Sequence, residues 1–180
     1  FQATNDALVT ARTIVDQKAS IATLISGGLT LTTQANSFLR ANSADLIRFA
    51  PGLAGGTITL DPARGALSIA SDVQIEGPGA GSLAVRRDPA AATAFRVMEV
   101  AAGATASVSG LTFTGGSGGG LYVLGTLTLV DSVVTANAAG SGVYAQPGST
   151  VTLQGCTLSN NRAPLGGGLY ANGAVVALSH

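Results

Sequence analysis

A unit closing on Leu-Tyr or Val-Tyr recurs through the second half of this chain. Its copies read GATASVSGLTFTGGSGGGLY (103–122), GTLTLVDSVVTANAAGSGVY (125–144) and GSTVTLQGCTLSNNRAPLGGGLY (148–170), and a shorter one opens GAVVAL (173–178). The closing tyrosines Tyr122, Tyr144 and Tyr170 lie 22 and 26 residues apart. Each unit holds short alternating strands between Gly-rich turns. No unit of that length can bury its apolar face alone, so the copies must stack into a solenoid. The expected class is an all-β solenoid with a short α-helical segment before it.

Composition agrees with stacked strands. The chain of 180 residues is 46% hydrophobic but only 4% aromatic and 10% charged, with 25 glycines. Small and β-branched side chains fit closely stacked pleats. Nine basic residues face nine acidic ones, so no net field recruits nucleic acid or an anionic membrane. No apolar run reaches the ~18 residues of a membrane span. The single cysteine, Cys156, has no partner for an internal disulfide and no metal-ligand spacing. It aligns with Ser132 of the preceding copy, which points to a small inward-facing position.

Two domains are expected. Over residues 1–43, Leu8, Ala11, Val15, Ala22 and Ile25 fall near helical spacing, Gly27-Gly28 stop that run, and 30–41 reads as a second helix. From Asp45 the period changes to two. Strands are expected at 46–49, 57–60, 67–70, 73–76, 83–85 and 95–100, punctuated by Pro51-Gly52, Asp61-Pro62, Gly77-Pro78-Gly79 and Asp88-Pro89. Residues 44–180 thus form the coiled domain, with about five or six turns. Phe1 is not an initiator Met and the fourth copy stops abruptly at His180, so further turns of the same parent chain are expected beyond it.

Some positions carry more than pattern. Asn137 and Asn161 align at the turn after the second strand, where stacked amides can bond from turn to turn. Gly120, Gly142 and Gly168 mark the next corner, where positive φ is expected. A phosphate cradle is not indicated, because neither a strand–Gly-loop–helix context nor a Lys is present there. Tyr122, Tyr144 and Tyr170 recur at one lateral position per turn. They either pack at a corner of the coil or form an aromatic stripe that stacks on sugar rings. Arg86-Arg87-Asp88, the densest charged spot, reads as a solvated turn, with an acidic-sugar site as the alternative. Asp61, Asp72, Glu76, Asp88 and Glu99 sit mostly beside Gly or Pro, where acids serve local hydrogen bonds. The regular copies hold only Asp131. No catalytic residue, metal ligand or cofactor is assigned.

Two resemblances follow from wording. PGLAGGTITL (51–60), IEGPGA (75–80), FRVMEVAAGATASVSGLTFTGG (95–116) and GTLTLVDSVVTANAA (125–139) resemble the opening of large bacterial extracellular proteins with right-handed parallel β-helix repeats, over residues 44–180. That resemblance implies a right-handed parallel β-helix in a secreted or cell-surface setting. It implies no reaction, because such coils serve as stalks, passenger domains and polysaccharide-active modules. RTIVDQK (12–18) and FLRANSADLIR (38–48) are similar to the helical region of mammalian-cell-entry (Mce) proteins, an envelope lipid-import family whose defining barrel domain has no counterpart here. The two meet between Ala44 and Phe49. The helices are therefore a cap on the coil, a segment recruited from another gene, or a join of two reading frames.

The leading functional expectation is a non-enzymatic secreted or surface scaffold, adhesin-like or passenger-like. Its expected partner is polysaccharide or a host-cell surface. A polysaccharide lyase or hydrolase with its site on other turns is the alternative, and an Mce-type lipid-transport component is the third reading.

Overall fold

The computed structural model describes residues 45–180 and, ahead of them, the backbone of three antiparallel strands, Val9–Val15, Lys18–Ile25 and Gly28–Thr30. The remaining residues of the segment 1–43, over which helices are expected, lie outside the described residues.

From Asp45 the chain winds as a parallel β-solenoid with three faces, built from parallel sheets of six, five and five strands. Face one holds Asp45–Arg48, Val73–Glu76, Thr105–Ser109, Thr126–Val130, Thr150–Gln154 and Val175–Ser179. Face two holds Gly56–Leu60, Leu83–Arg87, Thr112–Thr114, Val133–Thr135 and Thr157–Ser159. Face three holds Leu67–Ile69, Met98–Val100, Leu121–Val123, Val143–Ala145 and Leu169–Ala171. The chain visits the faces in order, so it completes five turns and begins a sixth. Among the described residues the only helical element is a single 3-10 turn, Pro51–Leu53.

Alternation along each short strand builds the core. Inward residues stack on their counterparts one turn away. Ile47, Ile75, Val108, Leu129, Leu153 and Leu178 form a column on face one. Ile58, Val85, Phe113, Val134 and Leu158 do so on face two. Leu67, Met98, Leu121, Val143 and Leu169 line face three. In the middle turns these side chains are closed to solvent, and among the described residues Phe113 is the one aromatic ring fully buried. Like packs on like because every turn presents the same cross-section to its neighbour.

In the later turns the corner after the face-one strand takes a left-handed residue. Gly110 (φ 62), Asp131 (φ 44) and Gly155 (φ 59) supply it in successive turns. Asp is among the few non-glycine residues that tolerate this region. Its carboxylate lies over the next turn's Gly155, where a Cβ would strike Oδ1. The residues that follow, Leu111, Ser132 and Cys156, share one corner column. Ser132 Oγ donates to Val130 O (2.7 Å) and accepts from Leu111 N–H (3.3 Å). Cys156 Sγ donates to Leu129 O (3.2 Å) and Gln154 O (3.3 Å).

Two sequence expectations are corrected by the early turns. The strand expected to start at Phe95 starts at Met98. Arg87 is not in a solvated turn, since it is only 8% exposed. It follows Leu83 and Val85 on the inward face of its strand. Its guanidinium donates to Ala91 O and to Thr93 O (3.0 and 3.3 Å), and it lies 5.3 Å from the centroid of Phe95. Arg87 thus staples the 88–95 loop to the coil. Arg86 points outward and donates to Thr59 Oγ1 (3.1 Å), and Asp88 Oδ1 accepts Ala90 N–H (2.8 Å) within its own turn.

Candidate functional site

On face three the outward positions of successive turns are Ser68, Glu99, Tyr122, Tyr144 and Tyr170, in strict register. The tyrosines therefore stand on the flat of a sheet and not at a corner. Each three-residue strand places its flanking residues inward and its middle residue out. Tyr122 and Tyr144 meet edge to face with centroids 5.5 Å apart, and Tyr144 and Tyr170 are tilted at 5.0 Å. Both separations suit favourable quadrupole contacts.

One end of this column carries charge. The Arg96 guanidinium sits 3.7 Å from the Tyr122 centroid and pairs with Glu99 Oε2 at 3.2 Å. Both side chains of the pair remain about a third exposed. The ring face, the cation and the carboxylate hold one another in place, so Arg96 is preorganised beside the aromatic column.

Beside the column runs an open groove of about 330 Å³. Tyr144, Tyr170 and Arg96 form one wall, and the turns carrying Gly118, Gly140 and Leu165 form the other. Leu165 is 63% exposed at the lip. Ser141 Oγ donates to Leu165 O (3.1 Å) and ties that lip to the turn below.

The wall of turns is held by an asparagine ladder. Asn137, 1% exposed, accepts Gly116 N–H at Oδ1 (2.8 Å). Its Nδ2 donates to Phe113 O (3.3 Å) and to Asn161 Oδ1 (2.9 Å). Asn161 Oδ1 also accepts the Asn137 backbone N–H (3.1 Å), and Asn161 Nδ2 donates to Val134 O (2.8 Å). Each amide thus closes the turn before it.

Gly120 and Gly142 serve this ladder in a way the sequence did not separate. With Gly168 they were expected at positive φ, but the left-handed residues of this corner are Gly119 (φ 105), Ala139 (φ 57) and Gly166 (φ 53). Gly120 and Gly142 are needed for close approach. A Cβ on Gly120 would meet Gly142 O and Asn137 Nδ2 (2.9 Å), and one on Gly142 would meet Asn161 Nδ2 (2.5 Å) and Gly168 O (2.7 Å). Gly168 has ordinary room, its nearest neighbour being Leu158 Cβ at 3.6 Å.

The acids of the early turns were expected to serve local hydrogen bonds; Asp61 does so, whereas Asp72 and Glu76 reach residues of a neighbouring turn. Asp61 Oδ1 accepts Ala63 N–H (2.9 Å), and Asp72 Oδ1 accepts Thr105 N–H (2.8 Å). Glu76 pairs with Arg48 (2.6 Å) and accepts from Gln74 (2.8 Å). Burial raises the Asp45 carboxyl above its ordinary range. Burial likewise raises the Cys156 thiol, with Asp131 adding to the effect. Among the described residues no three His, Cys, Asp or Glu side chains group as metal ligands, and no helix is long and apolar enough to cross a membrane. The face-three column and its groove offer phenol hydroxyls, ring edges and one fixed ion pair. That set suits the binding of a ligand with both apolar and hydroxylated faces.

Comparison with protein-family models, curated proteins and solved structures returns no match for this chain. The coil itself places the chain among parallel β-solenoid repeat proteins by architecture.

Proposed function

We propose that residues 44–180 form a non-enzymatic scaffold, adhesin-like or passenger-like, that works at a cell surface or after secretion and contacts carbohydrate through face three. The observation that carries this reading is the outward register of Tyr122, Tyr144 and Tyr170 beside the groove. A saccharide ring has an apolar C–H face for a tyrosine and equatorial hydroxyls for the phenols and the Arg96–Glu99 pair. The turns are read as right-handed, the hand taken by about 98% of parallel crossovers.

Affinity electrophoresis in gels containing pectin, alginate or neutral glucans tests the proposal. Retardation by one of them is expected, lost in Tyr144→Ala/Tyr170→Ala and partly kept in Tyr144→Phe. Thermal unfolding of the same proteins separates lost binding from lost folding. Unchanged mobility of the wild-type protein in every gel rejects the carbohydrate reading. New reducing or unsaturated ends released from any polymer reject the non-enzymatic one.

A further inference from the structure

The C-terminal end of the coil repeats, unfilled, the features by which each earlier turn holds the next. We infer that this end is a docking edge selective for one further turn of the same repeat, a turn that brings an asparagine side chain over Asn161 and Gly168. The inference rests on coil register alone and is independent of the carbohydrate reading.

Three features coincide. The first is a donor in waiting. Gly116 N–H is received by Asn137 Oδ1 of the following turn, and Asn137 N–H by Asn161 Oδ1 of the turn after. By the same rule Asn161 N–H points to an acceptor one turn on, and none of the described residues supplies it.

The second is a glycine with space. Gly120 and Gly142 are glycine because the next turn's asparagine amide and backbone carbonyl press on them. Gly168 holds the same register, since Leu169 pairs with Val143 and Val143 with Leu121. Yet a Cβ there would meet only Leu158 of its own turn. Its missing side chain makes physical sense once another asparagine lies over it.

The third is the inward column of face one. Leu178 continues Val108, Leu129 and Leu153 in register, but it is 66% exposed where Val108 and Leu129 are closed to solvent. A parallel strand laid on Val175–Ser179 would bury it as its predecessors are buried.

A second copy of the chain fits this edge poorly. Its first described turn carries Asp61 after the face-two strand, and that carboxylate already accepts Ala63 N–H. The occupant must offer an unengaged amide at this place. A turn with the pattern of residues 155–179 does so.

The test compares the 180-residue protein with an extended form in which His180 is replaced by a second copy of residues 155–179. In the 180-residue protein Gly168→Ala should leave Tm within about 1 °C, whereas in the extended protein it should lower Tm by several degrees, about as much as Gly142→Ala does in either. Changing the asparagine of the added copy that corresponds to Asn161 to Ala should make Gly168→Ala tolerable again. Amide exchange gives a readout that does not depend on tolerance of the variants. The Asn161 N–H should exchange at least about tenfold more slowly in the extended protein. Equal cost of Gly168→Ala in both proteins, or an Asn161 amide that exchanges at one rate in both, overturns the inference. So does a 180-residue protein that sediments as a dimer and is dissociated by Leu178→Lys, because a second copy then takes the edge.

Discussion

Asn137→Ala removes the densest set of polar contacts in the coil. Three side-chain bonds disappear, to Gly116 N–H, Phe113 O and Asn161 Oδ1. At about 1 kcal/mol net per bond, the loss is about 3 kcal/mol. The Gly116 donor is then left buried without an acceptor, which adds about 1–2 kcal/mol. A total of about 4 kcal/mol corresponds to a fall in Tm of roughly 10 °C for a chain of this size. Asn137→Leu fills the volume and restores no bond, so it should not rescue. Asn161→Ala also removes three bonds, but Asn161 is only half-buried and water can reach the orphaned groups, so about half the loss is expected. The double variant should cost less than the sum, because one bond is shared. Urea unfolding followed by circular dichroism measures all four. If Asn137→Ala lies within about 0.5 kcal/mol of the outward-facing control Thr128→Ala, the ladder does not hold the turns together.

Other perturbations read other parts of the coil. Arg87→Ala should cost about 2–3 kcal/mol, with Arg87→Lys a poor rescue, because the fork that reaches both Ala91 and Thr93 is lost; limited proteolysis within residues 88–95 should accelerate in parallel. Ala136 is exposed and held at φ 52, in register with Asn160 at φ 53, so Ala136→Gly or Ala136→Asn should raise stability by up to about 1 kcal/mol in the same urea assay. The Cys156 thiol, pushed up by burial, should react with iodoacetamide more slowly than a free thiol at pH 8 and accelerate as pH rises past the ordinary thiol range; a rate equal to free cysteine contradicts this. The raised Asp45 carboxyl makes the native state bind its proton more tightly than the unfolded state. Its contribution is therefore fully present below the unfolded pKa and lost as pH rises through the folded one. Asp45→Asn should accordingly gain stability relative to wild type between pH 3 and pH 7, and a pH-independent difference speaks against it.

The repeat made the turns legible before any coordinates. Val108, Leu129 and Leu153 could be aligned because alternation and turn residues recur together, and that alignment fixes which side chains point inward. The asparagine pair was visible for the same reason. What escaped was whatever depends on closure in three dimensions. Arg87 carried a readable signal, since Leu83 and Val85 share its parity, but a run of two arginines and an aspartate before proline reads as a surface turn. Only the folded loop shows carbonyls waiting for the guanidinium. Glycine alone does not tell whether a corner needs positive φ or close approach, and Gly119 and Gly120 divide those two roles between neighbours. The contact of Arg96 with Tyr122 joins residues 26 apart in number, and the groove joins three turns, so neither leaves a local pattern.

Parallel register is the claim on which the rest depends, and paired cysteines test it most directly. In a Cys156→Ser background, Ser107 and Thr128 are outward partners in adjacent face-one strands, about 4.8 Å apart by strand spacing and within the Cα range of a disulfide. A parallel solenoid predicts that Ser107→Cys/Thr128→Cys oxidises readily in dilute monomer, as does Thr128→Cys/Thr152→Cys one turn further on, while Ser107→Cys/Thr152→Cys, two turns apart, does not. Ready closure of Ser109→Cys/Thr112→Cys in place of these pairs would mean that neighbouring strands fold back as hairpins, and would contradict the coil.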